Sequence, residues 1–283
     1  MALKKTDGVR KSTEEVIDEI ENEEYRKDLG SVVVDEDGIV RDEELLCSEE
    51  YEGQLINTFS YREMNGKDEE AINKAEVRVN GGKLVNVLLE RTVVALGSFT
   101  KKELGQRKWG ELIRSLTGGN LDYMMTRVRG ISKGATVNFT HKCPNCGTLI
   151  TTEVDIDEFE ITPFLGEKNI PFELPYKGYK DTKGIYHKTG TLRLANGFDR
   201  EIIYPLMKKN NVSAETVLMT RLMSFDDGTP VIQNNVSEMS LRDRDYIVDL
   251  IKENVFGIKP VLDVECPNCG ETLSGEVGQS DFF

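Results

Sequence analysis

The sequence has little of what most enzymes and nucleic-acid-binding proteins use. It contains two His and one Trp in 283 residues, and it holds no P-loop, nucleophile-elbow or zinc-protease motif. Its formal net charge of −14 is opposite in sign to the basic surface that nucleic-acid binding requires. These absences predict a protein that is not an enzyme and does not bind nucleic acid.

Long apolar runs are also missing. No stretch reaches the roughly 18 apolar residues of a membrane span, and the first residues, Met1–Asp7, lack the apolar core of a signal peptide. Five Cys, four of them in two pairs, are typical of a reducing compartment in which thiols bind metal. The sequence therefore predicts a soluble protein without a membrane partner, and Cys47 is predicted to be a free thiol without a role.

One pentapeptide, Cys-Pro-Asn-Cys-Gly, occurs twice, at 143–147 and at 266–270. Each copy follows a short apolar run and precedes residues of alternating character. Because Pro and Gly favour a tight turn, a strand–turn–strand hairpin is predicted around each copy. In such a turn Gly147 and Gly270 can adopt positive φ. We call the two turns the knuckles.

The four paired cysteines form the soft tetrahedral set that Zn²⁺ prefers, and a site closed by four thiolates is structural. The pairs of a local zinc ribbon lie some 15–20 residues apart, whereas these begin 123 positions apart (266 − 143). We therefore predict one structural Zn²⁺ shared between distant parts of the chain, with the ligands Cys143, Cys146, Cys266 and Cys269. Two half-sites completed by another subunit, and knuckles without metal, are alternatives. A redox-active pair is disfavoured because each second Cys leads into Gly and a strand, not a helix.

Three blocks match between the two halves of the chain, in the same order. Their offsets are 131, 130 and 123 positions, and ten of 33 positions are identical in the last block. The blocks are Arg62–Glu70 with Arg193–Glu201, Leu88–Ala95 with Leu218–Phe225, and Asp122–Val154 with Asp245–Val277. The matches predict an α+β fold made of two tandem copies of a strand–helices–zinc-knuckle unit, related by a pseudo-twofold axis.

Local patterns place the helices of each copy. An Asn-Gly pair before Asp68 and another before Asp199 predict a tight turn and then a helix with the aspartate as N-cap. Apolar periodicity predicts helices that include Leu84–Ala95 and Val217–Met223. The recurring Asp122 and Asp245 are predicted to cap helix starts.

The predicted domain organisation has four parts. Residues 1–54 form an acidic, partly disordered arm, since residues 1–50 hold 17 Asp and Glu against 7 Lys and Arg. A first repeat at 55–160, a linker or hairpin at 161–187 and a second repeat at 188–283 follow. Phe282 and Phe283 are predicted to bind a partner, with burial against the fold as the alternative.

The order of these motifs resembles that of the baseplate-hub assembly chaperones and tail assembly proteins of contractile-tailed bacteriophages. The shared features are an Arg-x-x-Asn-Gly-x-Asp opening, paired helices, an Asp-Tyr helix that ends at Gly, and a Cys-Pro-x-Cys-Gly knuckle before a final strand. The resemblance covers about residues 55–283. In this resemblance many relatives carry one such unit with one knuckle, so the duplication departs from the family pattern, and the acidic arm has no counterpart.

The resemblance implies a non-enzymatic role in building the tail baseplate or its central hub. Phage baseplate or tail-hub proteins would be the partners, and the host cytoplasm during assembly or the virion tail would be the location. The alternative is a zinc-ribbon adaptor of a transcription or replication complex. The acidic charge and the lack of an aromatic–basic patch count against that alternative.

Overall fold

The computed structural model describes residues 34–276, which form a mixed α+β fold with nine helices and fifteen strands in that range. The helices are α1 (Gly66–Ile72), α2 (Ala75–Arg78), α3 (Gly81–Thr92), α4 (Lys101–Ser115), α5 (Gly118–Lys133), α6 (Gly197–Met207), α7 (Asn211–Leu222), α8 (Gln233–Ser237) and α9 (Leu241–Glu253). The strands are β1 (Ile39–Tyr51), β2 (Gln54–Arg62), β3 (Val93–Leu96), β4 (Phe99–Thr100), β5 (Thr136–Lys142), β6 (Leu149–Asp155), β7 (Glu160–Thr162), β8 (Asn169–Glu173), β9 (Tyr179–Lys180), β10 (Tyr186–His187), β11 (Thr189–Arg193), β12 (Met223–Phe225), β13 (Gly257–Lys259), β14 (Val261–Glu265) and β15 (Thr272–Glu276). The α+β class predicted from the sequence is confirmed.

The strands form several small antiparallel sheets. Four strands in the order β1-β2-β3-β4 make the first sheet, and three strands in the order β12-β11-β8 make the second. The pairs β5–β6, β14–β15, β9–β10 and β7–β13 are two-stranded. We call β1–β6 the first half and β7–β15 the second half. Among residues 34–276, none of the helices combines the length and apolarity that crossing a lipid bilayer needs.

Strand β1 lies inside the segment predicted as an acidic, partly disordered arm, so residues 39–51 belong to the ordered part of that segment. Composition alone does not predict this strand, because the acidic side chains of β1 have partners that are distant in sequence. Glu43 accepts hydrogen bonds from Tyr61 and Tyr123, and Glu49 pairs with Lys168 at 2.5 Å. Residues 1–33 of the predicted arm lie outside the described residues.

All three predicted domain boundaries cut a paired strand or separate paired strands. The boundary at 160/161 falls inside β7, which pairs with β13. The boundary at 54/55 crosses the β1–β2 hairpin, in which Tyr51 pairs with Gln54. The boundary at 187/188 separates β8 from its partner β11, although Asn169 pairs with Arg193 in the second sheet. The segment 161–187 therefore contributes β8 to the second half, and it also contains the short hairpin β9–β10, whereas the sequence left a linker and a hairpin open.

The Asn-Gly turns do lead into helices, but the aspartates are not the N-caps. Asn65 caps α1 and Asn196 caps α6, and Asp68 and Asp199 occupy the third helical position, where each completes a capping box. Two further predictions are wrong. Asp122 and Asp245 do not cap helix starts, because they lie inside α5 and α9. The second concerns the C-terminal ends of α3 and α7.

Helices α3 and α7 end earlier than their apolar stripes predict. Val94 and Ala95 belong to β3, and Met223 begins β12. Each of these strands pairs with the strand that precedes its helix, as Leu96 does with Phe59 and Met223 with Leu192. Pairing with a distant strand therefore overrides the helical periodicity, and the β-branched Val93 and Val94 suit a strand.

The halves meet where α3 crosses α6. A Cβ at Gly82 would lie 2.5 Å from the backbone carbon of Arg200, and a Cβ at Gly197 would lie 2.5 Å from Asn86 Oδ1. Such distances admit only glycine. The buried Asn86 donates from Nδ2 to the Gly197 carbonyl at 3.0 Å and to Glu201 Oε1 at 2.8 Å. The two helices are therefore held by close backbone approach together with buried hydrogen bonds.

A buried aspartate links strand, turn and helix in the first half. Asp68, 1% exposed, accepts from Arg62 Nη1 at 2.7 Å and from Arg91 Nε at 2.8 Å. Its Oδ2 also accepts the backbone N–H of Asn65 at 3.0 Å. The end of β2, the start of α1 and the end of α3 are therefore fixed to one carboxylate.

The second half repeats this arrangement at Asp199. Arg193 Nη1 and Arg221 Nε donate to its two oxygens, each at 2.6 Å, and Asn196 N donates at 3.0 Å. Burial raises the pKa of Asp68 and of Asp199, but the hydrogen bonds and the arginine charges outweigh burial, so the pKa of each carboxyl lies below its usual value.

We expect Asp199→Asn to lower the free energy of unfolding by about 3 kcal/mol near neutral pH, because Arg193 and Arg221 lose their shared carboxylate. Because the folded-state pKa is lowered, this stabilisation is present above about pH 4 and is lost as the pH falls through the folded-state pKa. Urea unfolding near neutral pH and in acid should therefore show a difference from wild type that shrinks in acid.

Asp249→Asn is the matched control, since Asp249 pairs with Lys252 at 3.8 Å on the surface. It should change the free energy of unfolding by less than about 0.5 kcal/mol. Equal losses for the two variants near neutral pH, or a difference for Asp199→Asn that grows in acid, would contradict this account.

Candidate metal centre

The two knuckles are the turns of two hairpins that are distant in sequence. The first connects β5 to β6, with Lys142 paired to Leu149, and the second connects β14 to β15, with Glu265 paired to Thr272. The predicted strand–turn–strand arrangement is confirmed for both.

The backbone of the first knuckle recurs in the second. Cys143 N donates to the Thr148 carbonyl at 2.8 Å, and Gly147 N donates to the Cys143 carbonyl at 2.9 Å. The corresponding bonds from Cys266 N and Gly270 N have the same lengths, 2.8 and 2.9 Å. The glycines have φ of 74° and 70°, a conformation that side chains with a Cβ rarely adopt. The predicted positive φ at both glycines is confirmed.

The two knuckles bring their four sulfurs together. The Sγ atoms of Cys143, Cys146, Cys266 and Cys269 all lie within 4.8 Å of one another. The contacts cross between the knuckles, with Cys143 and Cys269 sulfurs 3.7 Å apart and Cys146 and Cys266 sulfurs 3.6 Å apart. All four are free thiols. In each knuckle the first cysteine is buried and the second is exposed.

This geometry fits a tetrahedral metal ion. Zinc–sulfur bonds of about 2.3 Å place tetrahedral sulfurs about 3.8 Å apart, and the Cys146–Cys266 and Cys143–Cys269 sulfur separations, 3.6 and 3.7 Å, are close to that value. A disulfide would require about 2.05 Å. Within residues 34–276 these cysteines are the one group of three or more His, Cys, Asp or Glu side chains whose donor atoms lie close enough to hold a metal ion.

The polar surroundings favour a thiolate at Cys146. Hydrogen bonds with the Thr148 side chain, the Asn268 side chain and the Thr148 backbone lower the pKa of Cys146 to about 5. The Glu271 backbone N–H also acts to lower the pKa of Cys269, but burial and the neighbouring cysteines outweigh it and raise that pKa to about 11. One thiolate thus opposes the ionisation of the next, whereas a divalent cation would stabilise all four.

The histidines do not belong to the cysteine group. His141 lies on β5, with its ring against that of Phe139 at a centroid distance of 3.9 Å. His187 lies on β10, where Nδ1 is 2.6 Å from Asp227 Oδ2 and Nε2 is 3.5 Å from Asp181 Oδ2. No sequence pattern links His187 to these carboxylates, because they lie 6 and 40 positions away along the chain.

Cys47 is separate from the metal centre. Its thiol is buried, and burial raises its pKa to about 11. Its backbone exchanges hydrogen bonds with the Asn120 side chain, which holds β1 against α5. The thiol is therefore un-ionised at neutral pH. Phe282 and Phe283 lie outside the described residues.

Comparison with known proteins decides the family. A family model described as the T4 bacteriophage base plate protein matches residues 49–283. The chain belongs to this family. The searches of curated proteins and of solved structures found no match.

Family membership confirms the coarser part of the resemblance seen in the sequence, a phage baseplate protein. The matched region of this baseplate protein begins inside β1 and includes both knuckles, so the cysteine cluster lies within the family's own region. The family match by itself names no metal ion.

The knuckle backbone generates a prediction about its glycines. We expect Gly147→Ala to lower the local stability of the β5–β6 hairpin by about 1 kcal/mol, because alanine is strained at a φ of 74°. Hydrogen exchange of the β5 and β6 amides measures this local opening.

Gly130→Ala is the matched control. Gly130 lies within α5 with ordinary helical φ and nothing within 4 Å of an added Cβ, so alanine should leave stability unchanged or raise it by up to about 1 kcal/mol. Faster exchange in the control, or unchanged β5–β6 exchange in Gly147→Ala, would contradict the role of positive φ.

Proposed function

We propose that this chain is a non-enzymatic structural component of the phage tail that acts in assembly of the baseplate or its central hub. The observation that carries the proposal is the base plate family match over residues 49–283. Its partners are other baseplate or tail-hub proteins, which it meets in the host cytoplasm during assembly or in the virion tail. In this role the chain holds its neighbours in fixed relative positions and catalyses no reaction.

The metal ion we propose is one structural Zn²⁺ bound by all four paired cysteines. The crossed sulfur contacts of 3.6 and 3.7 Å and the all-thiolate donor set support zinc over magnesium or calcium, which prefer oxygen. Four protein ligands leave no open position, so the ion would have a structural and not a catalytic role.

Zinc would supply the contact that the local core does not. The apolar cluster between the knuckles has three buried residues, Cys143, Ile150 and Cys266, with Val264 packed against them. Two isolated two-stranded hairpins are marginally stable in water. A metal bound by both would tie the first half to the second at this point.

We further propose that the two halves arose by duplication of one unit. The support is the matched positions of the capping boxes, of the Arg–Asp–Arg groups and of the knuckles. In this proposal each unit begins one strand earlier than the sequence indicated, with β1 in the first unit and β8 in the second. In the first unit β1 pairs with β2, and β2 pairs with β3. In the second unit β8 pairs with β11, and β11 pairs with β12, in the same order.

The pseudo-twofold relation proposed for the units is local to the knuckles. There Cys143 contacts Cys269 as Cys266 contacts Cys146. Away from the knuckles the two units differ at the junction between the halves: Arg200 pairs with Asp122, whereas the equivalent positions are both acidic, Glu69 and Asp245. The divergence would allow each half to bind a different neighbour.

The zinc proposal predicts the effect of removing one ligand. Cys266→Ser should lose the metal, because three thiolates forfeit much of a binding free energy of about 10–16 kcal/mol. The β5–β6 and β14–β15 amides should then exchange faster, while the α3–α6 contact keeps its hydrogen bonds. Elemental analysis and hydrogen exchange measure the two effects.

Cys47→Ser is the control. It also removes a buried thiol, but Cys47 lies outside the four-cysteine cluster, where its backbone N–H donates to the Asn120 side chain and so connects β1 to α5. It should retain one metal ion per chain. Full metal content in Cys266→Ser, or metal loss in Cys47→Ser alone, would count against the four-cysteine site.

The assembly role is tested by binding. We propose that Phe282 and Phe283 anchor a partner, since aromatic residues carry a large share of interface energy. A chain shortened after Asp281 should bind co-expressed baseplate and hub proteins roughly 30-fold more weakly, which corresponds to about 2 kcal/mol. Pull-down with titrated partner measures this loss.

The control replaces two other exposed aromatics, in the double variant Tyr176→Ala and Tyr186→Ala, which are 46% and 54% exposed. It should bind as wild type does. If the shortened chain binds normally, the aromatic anchor is wrong. If wild type binds no baseplate or hub protein and phage without it assemble complete tails, the assembly function itself is wrong.

A further inference from the structure

A cleft of about 520 Å³ opens between the two halves, away from the cysteine cluster. Residues of α5, α6, β11 and the β13 region line it. The lining is largely apolar and includes Met125, Leu192, Leu222 and Phe256, which are buried or nearly so. A volume of this size accommodates two or three side chains of a binding partner.

The cleft is preformed because its walls are fixed. Gly119 of α5 packs directly on Phe256, whose carbonyl oxygen would lie 2.5 Å from an added Cβ. Across the cleft, Arg200 donates two hydrogen bonds to Asp122, one of them 2.7 Å long, and this pair links α6 to α5. These contacts leave neither wall free to move in and fill the space.

Two cationic side chains, Arg78 and Lys208, contribute to the lining of the cleft. Lys208 donates to the Val79 carbonyl at 3.2 Å, and the neighbouring Arg78 donates to the Asn73 side chain. Both cations line the cleft and are exposed. Among residues 34–276, neither has a carboxylate within the 4.0 Å of an ion pair, whereas the deeper Arg193 and Arg200 are neutralised by aspartates.

This charge is opposite to that of the protein as a whole. The chain carries a net charge of −14, so two uncompensated cations beside an apolar cleft form a local site for a negatively charged group. Exposed apolar side chains continue the cleft outward at Met207 and Val255, which are 48% and 63% exposed. The surface therefore combines an apolar pocket with a cationic edge.

We propose that the cleft binds a segment of a neighbouring baseplate or hub protein that inserts an apolar side chain and places carboxylates against Arg78 and Lys208. This inference rests on the proposed function and adds the location and the chemistry of the contact. The apolar insertion supplies affinity, and the charge pairing supplies orientation and selection among partners.

The test is site-specific photo-crosslinking in the full chain, co-expressed with the baseplate and hub proteins of the same phage. A benzoylphenylalanine at Val255, on the cleft rim, should crosslink to one partner at a segment with carboxylates next to an apolar residue. The same probe at Leu149, which is 70% exposed on the knuckle hairpin, should not crosslink to that segment.

Charge reversal supplies the second arm. Arg78→Glu with Lys208→Glu should reduce binding at least tenfold and abolish the Val255 crosslink, while Arg78→Lys with Lys208→Arg should keep both. All four substitutions are at exposed positions, so circular dichroism should show an unchanged fold.

The outcomes separate this inference from the proposed function. Crosslinks from Val255 to a basic segment, to residues 277–283 of the same chain or to a second copy overturn the partner site. If partners bind but charge reversal leaves their affinity unchanged, the cleft inference is wrong and the assembly function stands. If no baseplate or hub protein binds wild type, both are wrong.

Discussion

Four sulfurs within 4.8 Å of one another impose the constraint on which the arrangement of the two halves depends. Their two pairs begin 123 positions apart, so the sulfurs can meet only when both hairpins are formed and the helices between them are in place. Closing so long a loop has an entropic cost that grows only slowly with its length. A metal ion bound by four thiolates, with a binding free energy of about 10–16 kcal/mol, would more than offset that cost. The knuckles are thus the natural place to join the halves.

Away from the knuckles, buried polar contacts hold the halves in one relative position. Within each half, one buried aspartate, Asp68 or Asp199, pairs with two arginines. Between the halves, the Asn86 side chain donates to Glu201 and so connects α3 to α6. Such groups tolerate little displacement, because a buried carboxylate or amide that loses its partner costs more than the bond contributed. A rigid platform of this kind suits the proposed role, in which the chain would fix the positions of its neighbours.

The sequence predicted those features that short segments determine. The knuckles follow from Pro and Gly around paired cysteines, and the helix starts follow from Asn-Gly turns, although the cap proved to be Asn65 and not Asp68. Features set by distant partners could not be predicted. The composition of strand β1 predicts a solvated acidic segment. In the folded chain its carboxylates contact Tyr61, Tyr123 and Lys168, which are distant in sequence. The cleft between the halves is likewise lined by residues that no local pattern groups together.

The most direct test of the account is zinc K-edge X-ray absorption spectroscopy on the full chain purified under reducing conditions. The four-cysteine centre predicts a single first shell of four sulfurs at about 2.3 Å, with no nitrogen or oxygen ligand. The spectrum of Cys266→Ser should lack that shell. A shell that contains histidine nitrogen or carboxylate oxygen, fewer than four sulfurs, or protein that binds no zinc while its knuckles remain folded would contradict the claim that one metal ion joins the halves.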